Sequence, residues 1–189
     1  MKITNTPSLI NSTSFSKICL SSSISIVDPT HFNSLLGYRS SGFSLLNPFS
    51  VQSSLKVSFL LLEYFVKFRY DILFIIRIKD PTLFIKFSQI CRNRNFWIVK
   101  DTEILSGFLT NRSFSRTAVV SLFLDHQKTE LVQKELAATN TPLISFNDLS
   151  TNRFSSSVFV GGNYDSFSTQ DLILSLLSIC VEKKWLILS

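Results

Sequence analysis

The sequence predicts an α/β domain: a mainly parallel five-stranded sheet flanked by helices. Three observations predict it. Short continuous runs of aliphatic, β-branched and aromatic residues recur along the chain, as strands buried on both faces require. Longer segments between them carry apolar residues at helical spacing. The two kinds alternate, which is the signature of parallel strands joined by right-handed crossovers.

From residue 52, "QSSLKVSFLLLEYFVKF" places Lys56, Glu63 and Lys67 on one helical stripe and fills the rest with Leu and Phe. This is a mostly buried helix with a thin wet edge, and Glu63 and Lys67 form a favourable i,i+4 pair. "DILFIIRI" is the first strand. "KDPTLFIKFSQICRN" is a helix, with Asp80 as N-cap, Pro81 at the first position, and Leu83, Phe84, Phe87, Ile90 and Cys91 as its apolar face. "NFWIV" is the second strand. "DTEILSGFLTNRSFS", residues 101–115, has neither period. "TAVVSLFL" is the third strand. "HQKTELVQKELAATN" is a helix with Leu131, Val132 and Leu136 inward, Glu130 to Lys134 outward, and Asn140 as its stop. "PLISF" and "SSVFVGGN" are the fourth and fifth strands. "STQDLILSLLSICVEKK" closes the chain as a helix, with Ser168 and Asp171 at capping-box spacing and Ile173, Leu176, Leu177 and Cys180 as its stripe. The class is Rossmann/flavodoxin-like.

The chain has 189 residues, 45% of them apolar and 13% aromatic, enough for one core. Residues 1–30 are rich in Ser, Thr and Asn and poor in acids. They are expected to form a flexible extension, with residues 31–189 as a single domain. An organellar import signal and a plain disordered tail both fit the extension, which lacks the arginines of transit peptides. Three cysteines without a C-x-x-C pair argue against a disulfide framework or zinc ribbon. The greasiest window, "LKVSFLLLEYFVKFRYDILFII", is interrupted by five charges. No membrane partner is expected, since a span needs roughly 20 mainly apolar residues.

A sheet of this kind raises the question of a nucleotide. Phosphate sites need glycines so that backbone N–H groups can approach the anion. After the first strand stands "RIKDPT", without glycine and with Pro81 removing an N–H. Gly161 and Gly162 match no phosphate motif and read as a turn. His31 lies near the tail. His126 follows Asp125, but no nucleophile elbow accompanies them. No His, Cys or carboxylate cluster has metal-ligand spacing. Catalytic residues, metal, cofactor and small-molecule substrate are therefore all expected to be absent.

The charge is more informative. The formal balance is +6, and between Lys67 and Arg116 ten Lys or Arg stand against four acids. Such a balance favours an acidic partner, although a soluble protein that merely happens to be basic has the same charge. The cations Arg92, Arg94, Lys100, Arg112 and Arg116 fall in short segments with Asn and Ser, residues suited to phosphate and ribose contacts. RNA is the expected partner.

Four blocks, in order, carry a family resemblance. "LLGYRSSGFSLLNPFS" holds Gly37-Tyr38 and Asn47-Pro48. "DILFIIRIKDPTLFIKFSQICRNRNFWIV" follows, then "ILSGFLTN". The last is "AVVSLFLDHQKTELVQKELAATNTPLISFNDLSTN" with "VFVGGNYDSFSTQDLILSLLS" after it. Over roughly residues 30 to 183 the chain resembles the ribosomal protein S2 family of the small ribosomal subunit, in a divergent mitochondrial form. "ILSGFLTN" is similar to that family's Leu-Gly-Gly-x-Leu-Thr-Asn loop. Tyr38 stands where the family has His, and Ser106 where it has the first Gly. Its helical hairpin after Thr-Asn is missing, because only "RSFSR" separates Asn111 from the next strand.

The resemblance implies a structural constituent of the mitochondrial small ribosomal subunit, bound to ribosomal RNA and neighbouring ribosomal proteins in translation. By position it implies RNA contacts at Arg39, Lys100, Asn111 and Arg112; Arg92, Arg94 and Arg116 join them on charge. The alternative is an enzyme or nucleotide-binding protein on a degenerate Rossmann-like fold.

Overall fold

The structure, a computed structural model, describes residues 18–23, 27–38, 43–78, 80–93, 96–111, 117–150 and 156–182. The backbone extends where the apolar runs lie: β4 (Asp71–Ile76), β5 (Trp97–Lys100), β6 (Thr117–Leu122), β7 (Leu143–Asn147) and β8 (Val158–Gly161). These strands form one sheet in the order β5-β4-β6-β7-β8, with every neighbouring pair parallel. Every residue of β6 and β7 is buried, as is every residue of β4 after Asp71. Burial on both faces is why these strands read as unbroken apolar runs.

Among the described residues four α-helices flank the strands: α1 (Pro48–Lys67), α2 (Pro81–Asn93), α3 (His126–Thr139) and α4 (Phe167–Glu182). Successive side chains of a strand point to opposite faces, so β4 feeds two cores. Ile72, Phe74 and Ile76 pack with Leu62 and Phe65 of α1, Leu83 and Phe87 of α2, and Ile173 and Leu177 of α4. Leu73 and Ile75 pack on the other face with Val132 and Leu136 of α3, and with Ile104 and Leu109 of the segment before β6. Numbered in chain order the five strands run 2-1-3-4-5, the flavodoxin-like doubly wound arrangement, and the winding reverses between β4 and β6.

The helix boundaries follow from caps. Asn47 Oδ1 accepts the Phe49 N–H at 3.0 Å, so α1 starts at Pro48, ahead of the periodic stretch read from residue 52. Asp80 Oδ1 accepts both the Thr82 hydroxyl at 2.6 Å and the Thr82 N–H at 2.7 Å, and these bonds hold its carboxyl below the usual aspartate range. Asn140 ends α3 in the left-handed conformation, φ 51°, as its residue type predicts. The expected Ser168–Asp171 box is corrected. Helix α4 begins at Phe167, and Thr169 and Gln170 both donate to the Ser166 carbonyl, so Ser168 lies inside the first turn. No disulfide joins the three cysteines, and burial pushes the Cys91 thiol up to about 12.

The expected extension over residues 1–30 also needs correction, because part of it is folded. Strand β1 (Leu20–Ser23) pairs with β3 (Phe43–Leu46), which pairs with β2 (Leu35–Tyr38), in a separate antiparallel sheet ordered β1-β3-β2. Ile18 is 0% exposed, and its carbonyl accepts the Asn163 N–H at 3.3 Å. A Cβ added to Gly162 would stand 2.9 Å from Ile18 Cγ2, so a glycine there is a matter of room for Ile18. His31, read as part of the tail, is 1% exposed and its ring lies 4.6 Å from that of Phe159 on β8. The domain therefore takes in residues 18–23 and 27–30. Polar composition hid this, because Ile18 meets its partners Gly162 and Asn163 more than a hundred positions away. Residues 1–17 lie outside the described residues.

Ile18→Ala should lower stability by about 2–4 kcal/mol, the cost of a cavity in a closed core. Chemical denaturation measures it. A change below about 0.5 kcal/mol, typical of a surface site, would mean that this segment is not part of the fold.

Candidate nucleic-acid interface and the closed mouth of the sheet

Doubly wound folds bind ligands beyond the carboxyl ends of their strands, at the point where the winding reverses. Here that point is filled from within. Arg77, just past β4, pairs with Asp125, just past β6, and its Nε lies 3.9 Å from Asp101 Oδ2, just past β5. Asp148 and Asp165 line the same depression as Arg77 and Asp125, so its described lining holds three aspartates and one arginine. Its volume is about 100 Å³, against roughly 300–1,000 Å³ for a small-molecule site. Asp125 occupies the N-cap position of α3 and turns its carboxylate to Arg77, with no side-chain hydrogen bond to the helix amides. Charge and size both disfavour a nucleotide at this place.

The Asp125–His126 pair imagined from sequence is not assembled as a catalytic dyad. Asp125 is paired with Arg77, and His126 Nε2 lies 3.6 Å from Glu130 Oε1, one turn further along α3. Gly161 and Gly162 are packing glycines rather than a turn: a Cβ at Gly161 would stand 2.6 Å from Leu149 Cδ2. Among the described residues no group of three His, Cys, Asp or Glu is placed to hold a metal ion, and no helix is long and apolar enough to cross a membrane.

The loops of the mouth are held by a buried polar network. Asn147, 0% exposed at the end of β7, accepts the Leu124 N–H at 2.9 Å and donates to Ser145 Oγ at 2.8 Å and Thr129 Oγ1 at 3.2 Å. Ser121 Oγ donates to Ser145 Oγ at 3.0 Å. Beside it Phe123 adopts φ 62°, costly for a bulky residue, and its N–H donates to the Phe146 carbonyl at 2.8 Å. Its ring packs 5.1 Å from that of Tyr164, whose hydroxyl donates to the Val160 carbonyl at 3.0 Å. Burial first, and then the Asp148 charge, push the Tyr164 phenol well above its usual range.

The stretch that had no period, residues 101–111, is the crossover from β5 to β6. It opens with a short 3-10 turn, Asp101–Glu103, then runs down the α3 face with Ile104 and Leu109 fully buried. Two side chains of α3 hold its backbone. Lys128 Nζ donates to the Ile104 carbonyl at 2.6 Å. Glu135 accepts the Gly107 N–H at 2.6 Å on Oε1, and the Leu109 and Thr110 N–H groups at 2.7 and 3.3 Å on Oε2. The seven steps from Lys128 to Glu135 span about 10.5 Å of helix, which sets the length of the pinned segment. Gly107 has φ +83°, the left-handed region that a side chain resists, and a Cβ there would stand 2.8 Å from Asn111 Nδ2. Sequence reasoning missed Glu135. The signal it carried was a carboxylate one turn after Leu131 and next to Leu136, on the apolar stripe of its helix.

The structure separates the expected RNA contacts. Asn111 is exposed and closes the turn, its N–H donating to the Gly107 carbonyl at 3.0 Å. Arg92 is exposed in the last turn of α2. Both lie toward the amino ends of the strands, since α2 leads into β5 and the crossover into β6. Lys100 is at the other end of β5, three strand steps or about 10 Å from Trp97, with Nζ 4.7 Å from the centre of the Phe84 ring. Arg39, Arg94, Arg112 and Arg116 lie outside the described residues. Compared with known proteins, the chain matches no family model and no curated sequence.

Asn147→Ala should cost about 1–3 kcal/mol by leaving the Leu124 N–H buried without its acceptor. Urea unfolding tests this; stability within about 0.5 kcal/mol of the parent would remove the network from the forces that hold the mouth.

Proposed function

We propose that this chain is a structural constituent of the mitochondrial small ribosomal subunit, of the ribosomal protein S2 kind. It binds ribosomal RNA and neighbouring ribosomal proteins in translation and carries out no chemistry. One observation supports this reading above the others. The segment that resembles the family's Leu-Thr-Asn loop is a pinned crossover that delivers Asn111 to the surface at the Arg92 end of the sheet, while the usual ligand mouth is small and acidic.

The division of charge fits a binding role. Nucleic acid is attracted to Lys and Arg and repelled by aspartates, so the mouth is the wrong face for it. The opposite end carries Arg92 and Asn111, and in sequence Arg94, Arg112 and Arg116 adjoin them. Protein neighbours have a different surface: Leu60 and Tyr64 of α1, and Phe68 at its C-cap, are exposed at successive turns, an apolar stripe of the type that protein contacts cover.

Neutralising Arg92, Arg94, Arg112 and Arg116 together should weaken binding to small-subunit RNA and reduce the log–log salt slope by about 0.7 to 0.9 for each phosphate left without its cation. Lys100→Ala, at the other end of β5, should change the slope less. An unchanged slope in the fourfold variant would remove those residues from the interface. Mass spectrometry of purified mitochondrial small subunits should find the chain at one copy each. Its absence there, or saturable nucleotide binding by the isolated protein, would overturn the reading.

A further inference from the structure

We propose that Glu135 is the positioning residue of the candidate RNA-facing loop: an internal carboxylate that fills the loop's own anion nest and thereby fixes the direction in which Thr110 and Asn111 leave the domain. The part of this proposal that concerns RNA rests on the ribosomal reading above; the part that concerns the loop does not.

The geometry points to Glu135 through its bonds. Peptide N–H groups that converge on one point form a site for an anion. Gly107, Leu109 and Thr110 converge in this way, and both oxygens of Glu135 are used in meeting them. The residue is 8% exposed, so water is a poor substitute for those three acceptor contacts. These N–H groups belong to no helix or strand, because the described residues of the loop, 101–111, have no regular structure beyond the opening 3-10 turn. Glu135 stands outside the loop by more than twenty positions, yet it is the loop's template. The nest is occupied from inside, so an RNA phosphate is not bound by these amides. Contacts with RNA fall instead to the outward side of the turn.

The carboxylate is specific for this task. Glutamine has the same shape but replaces one acceptor oxygen with an N–H₂ donor, which would face an amide N–H. Glu135→Gln therefore removes the acceptor function without opening a cavity.

Amide exchange measured by NMR on the full chain tests the proposal, with RNA binding measured in parallel. In the unaltered protein the amides of Gly107, Leu109 and Thr110 should be protected. In Glu135→Gln their exchange should accelerate at least tenfold, while those of Val120 in β6 and Ile144 in β7 do not change. RNA affinity should fall several-fold with an unchanged salt slope, because the same cations still meet the same phosphates; a residue that itself met phosphate would reduce the slope. In Glu135→Ala, added formate should restore part of the protection. Loop amides that stay protected in Glu135→Gln overturn the proposal, as do opened amides with undiminished RNA affinity. If Glu135→Gln does not fold, the unaltered protein still decides: exchange of the three amides at the rate of an unstructured peptide overturns the proposal. If the unaltered protein binds no small-subunit RNA, the ribosomal reading falls, and the amide measurements still judge the nest.

Discussion

A parallel sheet buried on both faces must be covered on both faces, and its cover must satisfy its own backbone polar groups. That constraint governs this protein most sharply between β5 and β6, where the described residues of the connection hold no α-helix. Residues 101–111 lie on the sheet instead, with Ile104 and Leu109 supplying the apolar side. An irregular segment in such a position carries unpaired N–H and C=O groups, each costly to bury. Lys128 and Glu135, two turns apart on α3, meet those groups from the opposite side. The helix thus does for the crossover what a helix does for itself.

The mouth of the sheet shows the same economy of polar groups turned to a different end. Arg77 joins the ends of three neighbouring strands through Asp101 and Asp125, and Asn147 holds the loop after β6 by accepting the Leu124 N–H. In a nucleotide-binding member of this fold class, N–H groups at this place stay open for phosphate. Here Asp125 stands at the start of α3 and, with Asp101, faces Arg77. The fold keeps its architecture, while the chemistry of its usual site is reversed in sign. A binding role at the other end, where Arg92 and Asn111 are exposed, is compatible with that reversal.

The amino-terminal segment closes the structure in a way that depends on distant partners. Ile18 is seated against Gly162, the Asp28 N–H donates to the Leu149 carbonyl at 2.8 Å, and His31 packs on Phe159. The small sheet β1-β3-β2 is thereby attached beside β8. A residue larger than glycine at 161 or 162 would force these groups apart, since an added Cβ would meet Leu149 or Ile18 inside 3.0 Å.

By itself the sequence determined what depends on neighbours in the chain. The apolar runs specified five strands, because two-sided burial demands them. Asp80 with Pro81, and Asn140, marked helix ends, because capping is a matter of a few adjacent residues. Through the family resemblance it also offered Asn111 as a candidate contact. Tertiary structure alone decided the rest, because those features join residues far apart in sequence. Ser and Asn around residues 18–30 suggested an extension, yet Ile18 is buried beside Gly162 and Asn163. Asp125 and His126 suggested a pair, yet Arg77 and Glu130 take them separately. Glu135 was only a charge on a helix until the fold set three amide N–H groups, twenty-five and more positions earlier, against its carboxylate. A carboxylate's role is set by the donors that meet it, and only the folded chain brings those donors within reach.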